Sequence, residues 1–567
     1  MNQISGAETD HELRLANEKT AWLDRFSEQV SEWVSPIVVK ELRQTLKSHQ
    51  FVWTFFLLLV AVMLWTLIGW TASQPTANYD EVGPALLVGY FWILGFPLAI
   101  VIPFASYRSL SREFDDGTIQ LISISTMRSW QIVMGKLVSS AVQILVYLSV
   151  LAPCISFTYL LRGISLFQIT SGLGICIVGS FALVSLGLFL AAVARSRFFS
   201  IGISIGLVIG LAIIYFFWCI LATAVFSYSA GFAGNNLSGQ FLLFGWAGFA
   251  GSSSLVLLAA TSSLVSFESD NGATLPRAMI LVQQTVFLAW CFCMMTLSID
   301  IEVLIVMIFI LCHYWMLMGF AMVGESAQLS QRVQRSLPRS VGIRSLFSLF
   351  LPGPGRGLIY SVTNLWVSGG LLLLIASNPL LYLPEVDRDA FGFGGGNIVM
   401  TTLGFNRAFE GLFVAFFYTT FFLSLMYLFM RWVANKTRWN WGPLASVLIG
   451  VAMITLLTII STVLHVNLFP GSRNGGYSIL LAGNWYWTTW EAAEPVSIWN
   501  DSQLSATAPL GSAALLSIAF AFFLASRELL TQPRSRPPRV AIDDQQIKEA
   551  KKGPVGETIE DIFNEPR

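Results

Sequence analysis

The residues best suited to do more than pack stand together between two apolar stretches. They read Arg112-Glu113-Phe114-Asp115-Asp116-Gly117-Thr118, continuing to Arg128-Ser129-Trp130 and Gly135-Lys136. They spell an acidic turn broken by glycine, then a short helix, then a polar stop before the next apolar run. Thr118 is placed to cap that helix. Ile119, Ile122 and Met127 give it an apolar side, and Glu113, Asp115, Asp116 and Arg128 face the cytoplasm. The chemistry on offer is mechanical and electrostatic: a short charged helix held between two membrane spans passes an outside push into the membrane.

Bond-making chemistry finds little support elsewhere. No G-x-x-x-x-G-K-[ST] occurs, because Gly135-Lys136 is followed by Leu137 and lacks the preceding glycine. The chain therefore cannot build a P-loop phosphate cradle. No HExxH occurs, and His11, His49, His313 and His465 are far apart in sequence. Cys154, Cys176, Cys219, Cys291, Cys293 and Cys312 all fall in apolar stretches without a CxxC pair, and read as packing residues. No catalytic, metal or cofactor site is expected in this chain, and no nucleic-acid partner.

The elements that must position the charged segment are membrane spans. Of 567 residues 55% are apolar and only 12% charged, with 43 Phe and 19 Trp, too little charge to solvate a globular surface of this size. About twelve stretches reach the roughly 20 apolar residues a span needs. They lie near 51–71, 84–106, 134–160, 171–193, 201–226, 241–266, 278–298, 303–323, 358–381, 409–430, 444–464 and 507–525. Their interiors hold almost no ionisable groups, and only His313 sits well inside one. A carrier driven by protons or sodium usually keeps a carboxylate or histidine at mid-membrane. If this chain moves something, the energy comes from another subunit, and a lone membrane histidine reads first as hydrogen-bonded to a neighbouring helix.

Loop charge orients the spans. With both termini cytoplasmic, the cytoplasmic loops hold Arg108, Arg112, Arg128, Lys136, Arg195, Arg197, Arg277, Arg332, Arg335, Arg339, Arg344, Arg356, Arg431, Lys436 and Arg438. The opposite loops hold only Arg162, Arg388, Arg407 and Arg473, alongside many acids. Fifteen against four is a clear positive-inside bias. The fold expected is all-α: about twelve transmembrane helices, both ends cytoplasmic.

Outside the bilayer, residues 11–34 carry Leu15, Trp22, Phe26, Val30 and Trp33 at helical spacing, an amphipathic pattern. Ser35-Pro36 reads as an N-cap and first-turn proline. In the next helix Val38, Val39, Leu42 and Leu46 oppose Lys40, Arg43 and Lys47, which suits the headgroup layer. The region after Arg527 is rich in proline and charge and reads as a disordered tail. Loop 384–407 is acidic and then glycine-rich. Loop 465–506 holds Trp485, Tyr486, Trp487, Trp490 and Trp499, an interfacial aromatic belt or, alternatively, a cap touching an amphipathic cargo. Gly174 and Gly179, and Gly202, Gly206 and Gly210, have the small-residue spacing of close helix packing.

"PIVVKELRQTLKS" before the first span and "EFDDGTIQLISIS…IVMGKL" after the second resemble the permease subunits of type-2 ABC transporters. The resemblance implies that Lys40, Glu41 and Arg43 belong to an interfacial elbow helix. It implies that Glu113, Asp115, Asp116, Gly117, Thr118 and Arg128, with Gly135 and Lys136, belong to a coupling region that docks on a separate ATP-binding subunit. Gln120 and Met127 depart from the family's usual acid and proline. The likeness covers about residues 35–265.

The domains read as 1–50, amphipathic and elbow helices; 51–267, a first six-span half with coupling segment 107–136; 278–526, a second six-span half; and 527–567, the tail. The basic loop 325–357 occupies the place in the second half that the coupling segment holds in the first. The second half is thus a diverged permease repeat, or else an accessory bundle in a chain that pairs with a second permease chain. The resemblance implies the membrane subunit of an ATP-binding-cassette exporter in the plasma (inner) membrane, with ATP on the partner subunit. A charge-poor, aromatic-rich interior points to a hydrophobic or amphipathic substrate. Two other readings remain: an ion-coupled secondary transporter, for which Glu410 is the nearest carboxylate, and a non-transporting scaffold.

Overall fold

The computed structural model describes residues 36–73, 82–118, 129–160, 164–194, 197–227, 237–267, 270–297, 301–326, 328–335, 337–338, 340–377, 402–437, 442–468, 479–493, 501–530, 542 and 545. The expected helix over 11–34, the N-cap Ser35 of the next helix, the short helix after Thr118, Arg128, the acidic and glycine-rich part of loop 384–407, Trp499 and nearly all of the tail lie outside these residues.

Twelve described helices are long and apolar enough to cross a membrane, one for each expected stretch. Helix is the form that lets an apolar segment satisfy its own backbone in lipid. An entry helix, Pro36–Leu46, precedes span 1 (His49–Ser73). Span 2 is Val82–Phe96, a π turn Pro97–Val101, and Ile102–Asp115. Spans 3 to 6 are Ser129–Leu160, Leu166–Val193, Arg197–Ser227 and Leu237–Val265. Spans 7 to 12 are Thr274–Leu297, Ile301–Val323, Pro354–Ser377, Thr402–Thr437, Gly442–Leu468 and Asp501–Leu529. Residues 402–407, read as loop, are the first turns of span 10.

Two apolar cores hold the bundle together. The first is built on Leu87, Leu94 and Leu110 of span 2 with Ile144, Leu151, Val184 and Leu188 of spans 3 and 4. The second is built on Leu311 and Trp315 of span 8 with Leu365, Phe416 and Leu423 of spans 9 and 10. Span 2 is the most enclosed of the first six, and spans 8 and 10 of the last six; spans 1, 5, 11 and 12 show most of their apolar surface outward. Within the first half, span 2 packs on spans 3, 4 and 5, while spans 3 and 4 pack on span 6. Within the second, span 8 packs on spans 9, 10 and 11, while spans 9 and 10 pack on span 12.

Two sequence readings are corrected by this packing. A side chain at Gly179 would collide with Trp246, so that glycine does permit a close approach. At Gly174, Gly202, Gly206 and Gly210 nothing of this chain lies within 4 Å of where a Cβ would sit. Their spacing does place them on one helix face, but it is an outward face. The aromatic run after span 11 is not wholly a surface belt: Tyr486 and Trp487 are exposed, but Trp485 is not. Ile479–Gly483 and Trp485–Ala493 form a short helical pair folded back between spans 8, 10 and 11, and Trp485 is fully buried. Asn484 starts the second of these helices by accepting the Trp487 N–H at 3.2 Å, and its amide donates to Thr462 Oγ at 3.1 Å.

Candidate functional site

The candidate site begins inside span 2. Pro97 and Pro103 bracket a stretch in which the Ile102 N–H reaches back five residues to the Pro97 carbonyl. That shift frees the Leu98 carbonyl, and the buried Ser180 hydroxyl of span 4 donates to it at 2.9 Å. An extra atom at Gly187 would strike the Pro103 carbonyl at 2.7 Å, so span 4 seats directly against the irregular turn. A π turn held by a neighbouring span is a natural place for a helix to change direction.

Below it the helix runs straight on through residues read as a turn. Tyr107, Leu110 and Phe114 continue its apolar face, and the chain breaks only at Asp116-Gly117. Asp116 N–H bonds to Arg112 O and Gly117 N–H to Phe114 O; Gly117 takes φ 68°, a left-handed conformation that suits glycine. The Thr118 hydroxyl donates back to the Glu113 carbonyl at 3.2 Å, and the helix it is expected to cap lies outside the described residues.

Three elements meet at Lys136. Its ammonium lies 3.1 Å from Glu41 Oε1 of the entry helix and 3.1 Å from Glu113 Oε1 of span 2, and donates to Ser109 Oγ at 2.8 Å. Ser109 donates in turn to Glu41 Oε2 at 3.2 Å. Thr45 and Ser139 share a second bond between the entry helix and span 3, at 3.2 Å. Lys136 and Glu41 are buried, and Glu113 is only slightly open. Glu113 therefore does not face outward as expected: the apolar wall of span 3 leaves Lys136 needing carboxylates, and Glu113 turns inward to supply one. Glu113 Oε2 is buried without a partner. Asp115 and Asp116 are exposed, as are Lys40, Arg43 and Lys47 on the entry helix. The expected elbow and coupling residues thus divide into an internal tie (Glu41 of the elbow with Glu113 and Lys136) and an outer acidic turn (Asp115, Asp116, Gly117).

A second buried charge cluster lies in the second half, and the sequence reading missed it by counting its arginines as loop charges. Arg277, at the start of span 7, pairs with Glu325, donates to Leu349 O and lies over the Tyr360 ring. In Pro352-Gly353-Pro354-Gly355-Arg356 the backbone serves both acids: Gly353 N–H donates to Glu325 and Gly355 N–H to Glu528, at 3.0 and 2.9 Å. Arg356 closes the ring by donating to Pro352 O and Glu528 O at 2.7 and 2.9 Å. Gly353, at φ 146°, occupies a backbone region where a side chain would be strained. Burial pushes the Glu325 carboxyl above its ordinary value of 4.5, against the opposing pull of Arg277 and the Gly353 N–H. Alternating Pro and Gly beside an arginine was the available signal.

His313 is held as a structural histidine would be. Nδ1 sits 2.7 Å from Phe309 O, so it carries the proton, and in the neutral ring Nε2 accepts from Tyr486 OH at 2.7 Å. Glu410 lies exposed at the end of its span's apolar window. Among the described residues no cluster of histidine, cysteine and carboxylates could hold a metal.

Residues 35–244, from the entry helix into span 6, match the family described as ABC-2 family transporter protein. No curated protein matches the chain, and no solved structure does.

Proposed function

We propose, from the premise that residues 35–244 are a type-2 ABC transporter permease and the chain a membrane transport subunit, that it works in an ATP-driven exporter. ATP is bound and hydrolysed on a separate subunit that docks at the Asp115-Asp116-Gly117 turn. The positive-inside bias supports a cytoplasmic position for that turn and both termini, and the family likeness supports a plasma membrane. The observation that carries the reading is the continuity of span 2. It joins an exposed acidic turn to an irregular turn deep in the bundle, and Lys136 ties its last turns to the entry helix and span 3. A displacement of the outer turn then moves three elements as one. A charge-poor interior favours a hydrophobic or amphipathic cargo, because an ionic one would need buried counter-charges.

The second half reads as a diverged permease repeat. In support, spans 8 to 12 repeat the neighbour pattern of spans 2 to 6, and span 7 packs on span 9 as span 1 packs on span 3. One chain then supplies both halves of a pathway.

The test is a mild-detergent pull-down of tagged protein with an assay for bound ATPase, comparing wild type with Asp115→Arg, Asp116→Arg. Glu113 is unsuited to reversal because a second cation would face Lys136. Wild type is expected to bring down an ATPase and the double variant to lose it while staying monodisperse. If no ATPase binds wild type even after cross-linking in the membrane, the exporter reading fails and a scaffold takes its place.

A further inference from the structure

The loop between spans 8 and 9 folds on itself. Leu329, Val333, Leu337 and Leu351 form a small core of their own. Arg332, exposed, pairs with Asp270 at 2.8 Å and so holds the loop to the connection before span 7. Within the loop lies an eight-residue helix, Val341–Ser348, and that helix is inside out. Its one charged residue, Arg344, is 9% exposed, while Ile343, Leu346 and Phe347 are 62%, 67% and 39% exposed. Those three stand at i, i+3 and i+4 and share one helix face. A helix against water turns its apolar stripe inward and its charge outward. This loop has an apolar core to bury such residues in, and leaves them out of it.

The height of the helix says what lies against that face. Just past its C-terminal end, Leu349 O accepts from Arg277 and Phe350 O accepts from Thr274 Oγ at 3.1 Å. Both donors sit in the first turn of span 7. Eight helical residues reach only about 12 Å, so the whole element lies at the level of the span ends. It packs on span 12, whose Phe520 and Phe523 are exposed on the outside of the bundle. Arg527 of that span lies 5.0 Å over the Phe523 ring, the posture of an arginine where acyl chains give way to headgroups. The apolar face therefore adjoins a surface that already meets lipid. The outer turn of the first half differs: it is acidic and free of exposed apolar side chains, as suits a partner in water.

We infer that Val341–Ser348 is an interfacial helix, with Ile343, Leu346 and Phe347 seated at the boundary of headgroups and acyl chains, and that its partner is phospholipid. Charge agrees with the position. Residues 325–357 hold five arginines and one glutamate, Arg335 is exposed beside Arg332 in the preceding helix, and an anionic cytoplasmic leaflet attracts such a segment. The second half then gives to the membrane the place where the first half presents its acidic turn, and a cytoplasmic partner meets the two halves differently. This rests on the spans and stands without the exporter reading.

The experiment places the photo-crosslinker p-benzoylphenylalanine at position 346 of the full-length protein. It is irradiated in native membranes and, after purification, in vesicles of phosphatidylethanolamine and phosphatidylglycerol, and adducts are identified by mass spectrometry. Position 520, on the outward face of span 12, and position 116, in the acidic turn, bracket the result. Position 346 is expected to give phospholipid adducts within about threefold of position 520 and about tenfold above position 116, as an inserted apolar face should. Position 343 repeats the measurement and carries it if the 346 variant is not monodisperse. Phospholipid adducts no more abundant than at position 116, or a protein adduct in their place in native membranes, would overturn the inference and make this face a protein-docking site. Failure of the ATPase pull-down would leave the result untouched.

Discussion

In the first half one cation, Lys136, serves two carboxylates drawn from two other elements. In the second half Arg277 pairs with the Glu325 carboxylate, Arg356 donates to the backbone carbonyls of Pro352 and Glu528, and the N–H groups of Gly353 and Gly355 serve the Glu325 and Glu528 carboxylates. Lysine is a compact charge on a flexible stem, while arginine's planar fork fixes its partners in direction. The lysine tie can hold its partners through a change of angle; the arginine ring cannot. The tie also stands beside an exposed acidic turn, whereas the ring is built into the loop that closes its own half. On the proposed exporter reading, this contrast gives movement to the first half and bracing to the second.

The largest effect that would break this contrast is expected at Arg277. Arg277→Leu leaves Glu325 buried without its cation, a loss of about 3–5 kcal/mol, read as collapse of the monodisperse fraction and of Tm in detergent. A mild effect there would remove the bracing role. Lys136→Met should cost a comparable amount, about 3–5 kcal/mol, because it leaves Glu41 and Glu113, both more enclosed than Glu325, without their cation. Adding Glu113→Gln should restore part of it, with a coupling above about 0.5 kcal/mol in a double-mutant cycle. Additive losses would mean the two are not linked.

A pH series sharpens the comparison further. Glu325 holds its proton to a higher pH in the native state than in the unfolded chain, since burial outweighs Arg277. The native state therefore binds the extra proton between 4.5 and the raised value, and this group's contribution to stability falls as pH rises through that window. Glu325→Gln should flatten that part of the Tm–pH curve; an unchanged slope would show that Glu325 does not titrate there. The smallest stability effect belongs to the outer turn. Asp115→Asn, Asp116→Asn should stay within about 0.5 kcal/mol of wild type, yet weaken ATPase capture.

The spans were legible because an apolar run of membrane length is a local property, and each of the twelve stretches became a helix. The Asp116-Gly117 break was legible for the same reason, as a glycine after a charged turn. Its preceding residues were misread, since Tyr107, Leu110 and Phe114 look like loop residues until their shared helix face is seen against the first core. Trp485 misled in the opposite way. Aromatics beside a span usually mark the interface, and only the pairing of Ile479–Gly483 with spans 10 and 11 shows that this segment folds back inward.

The amino-acid sequence by itself determined that this is a twelve-span helical membrane protein, and it marked out the charged segment that ends span 2. Composition, span length and the motif around Glu113 suffice for that, because they act over a few helical turns. Tertiary structure alone decided that Glu41 and Glu113 turn inward to one lysine, that Gly202, Gly206 and Gly210 face outward, and that Arg344 turns inward while Ile343, Leu346 and Phe347 stay exposed. Each depends on which helix stands opposite, and a buried charge is defined by its neighbours across the bundle.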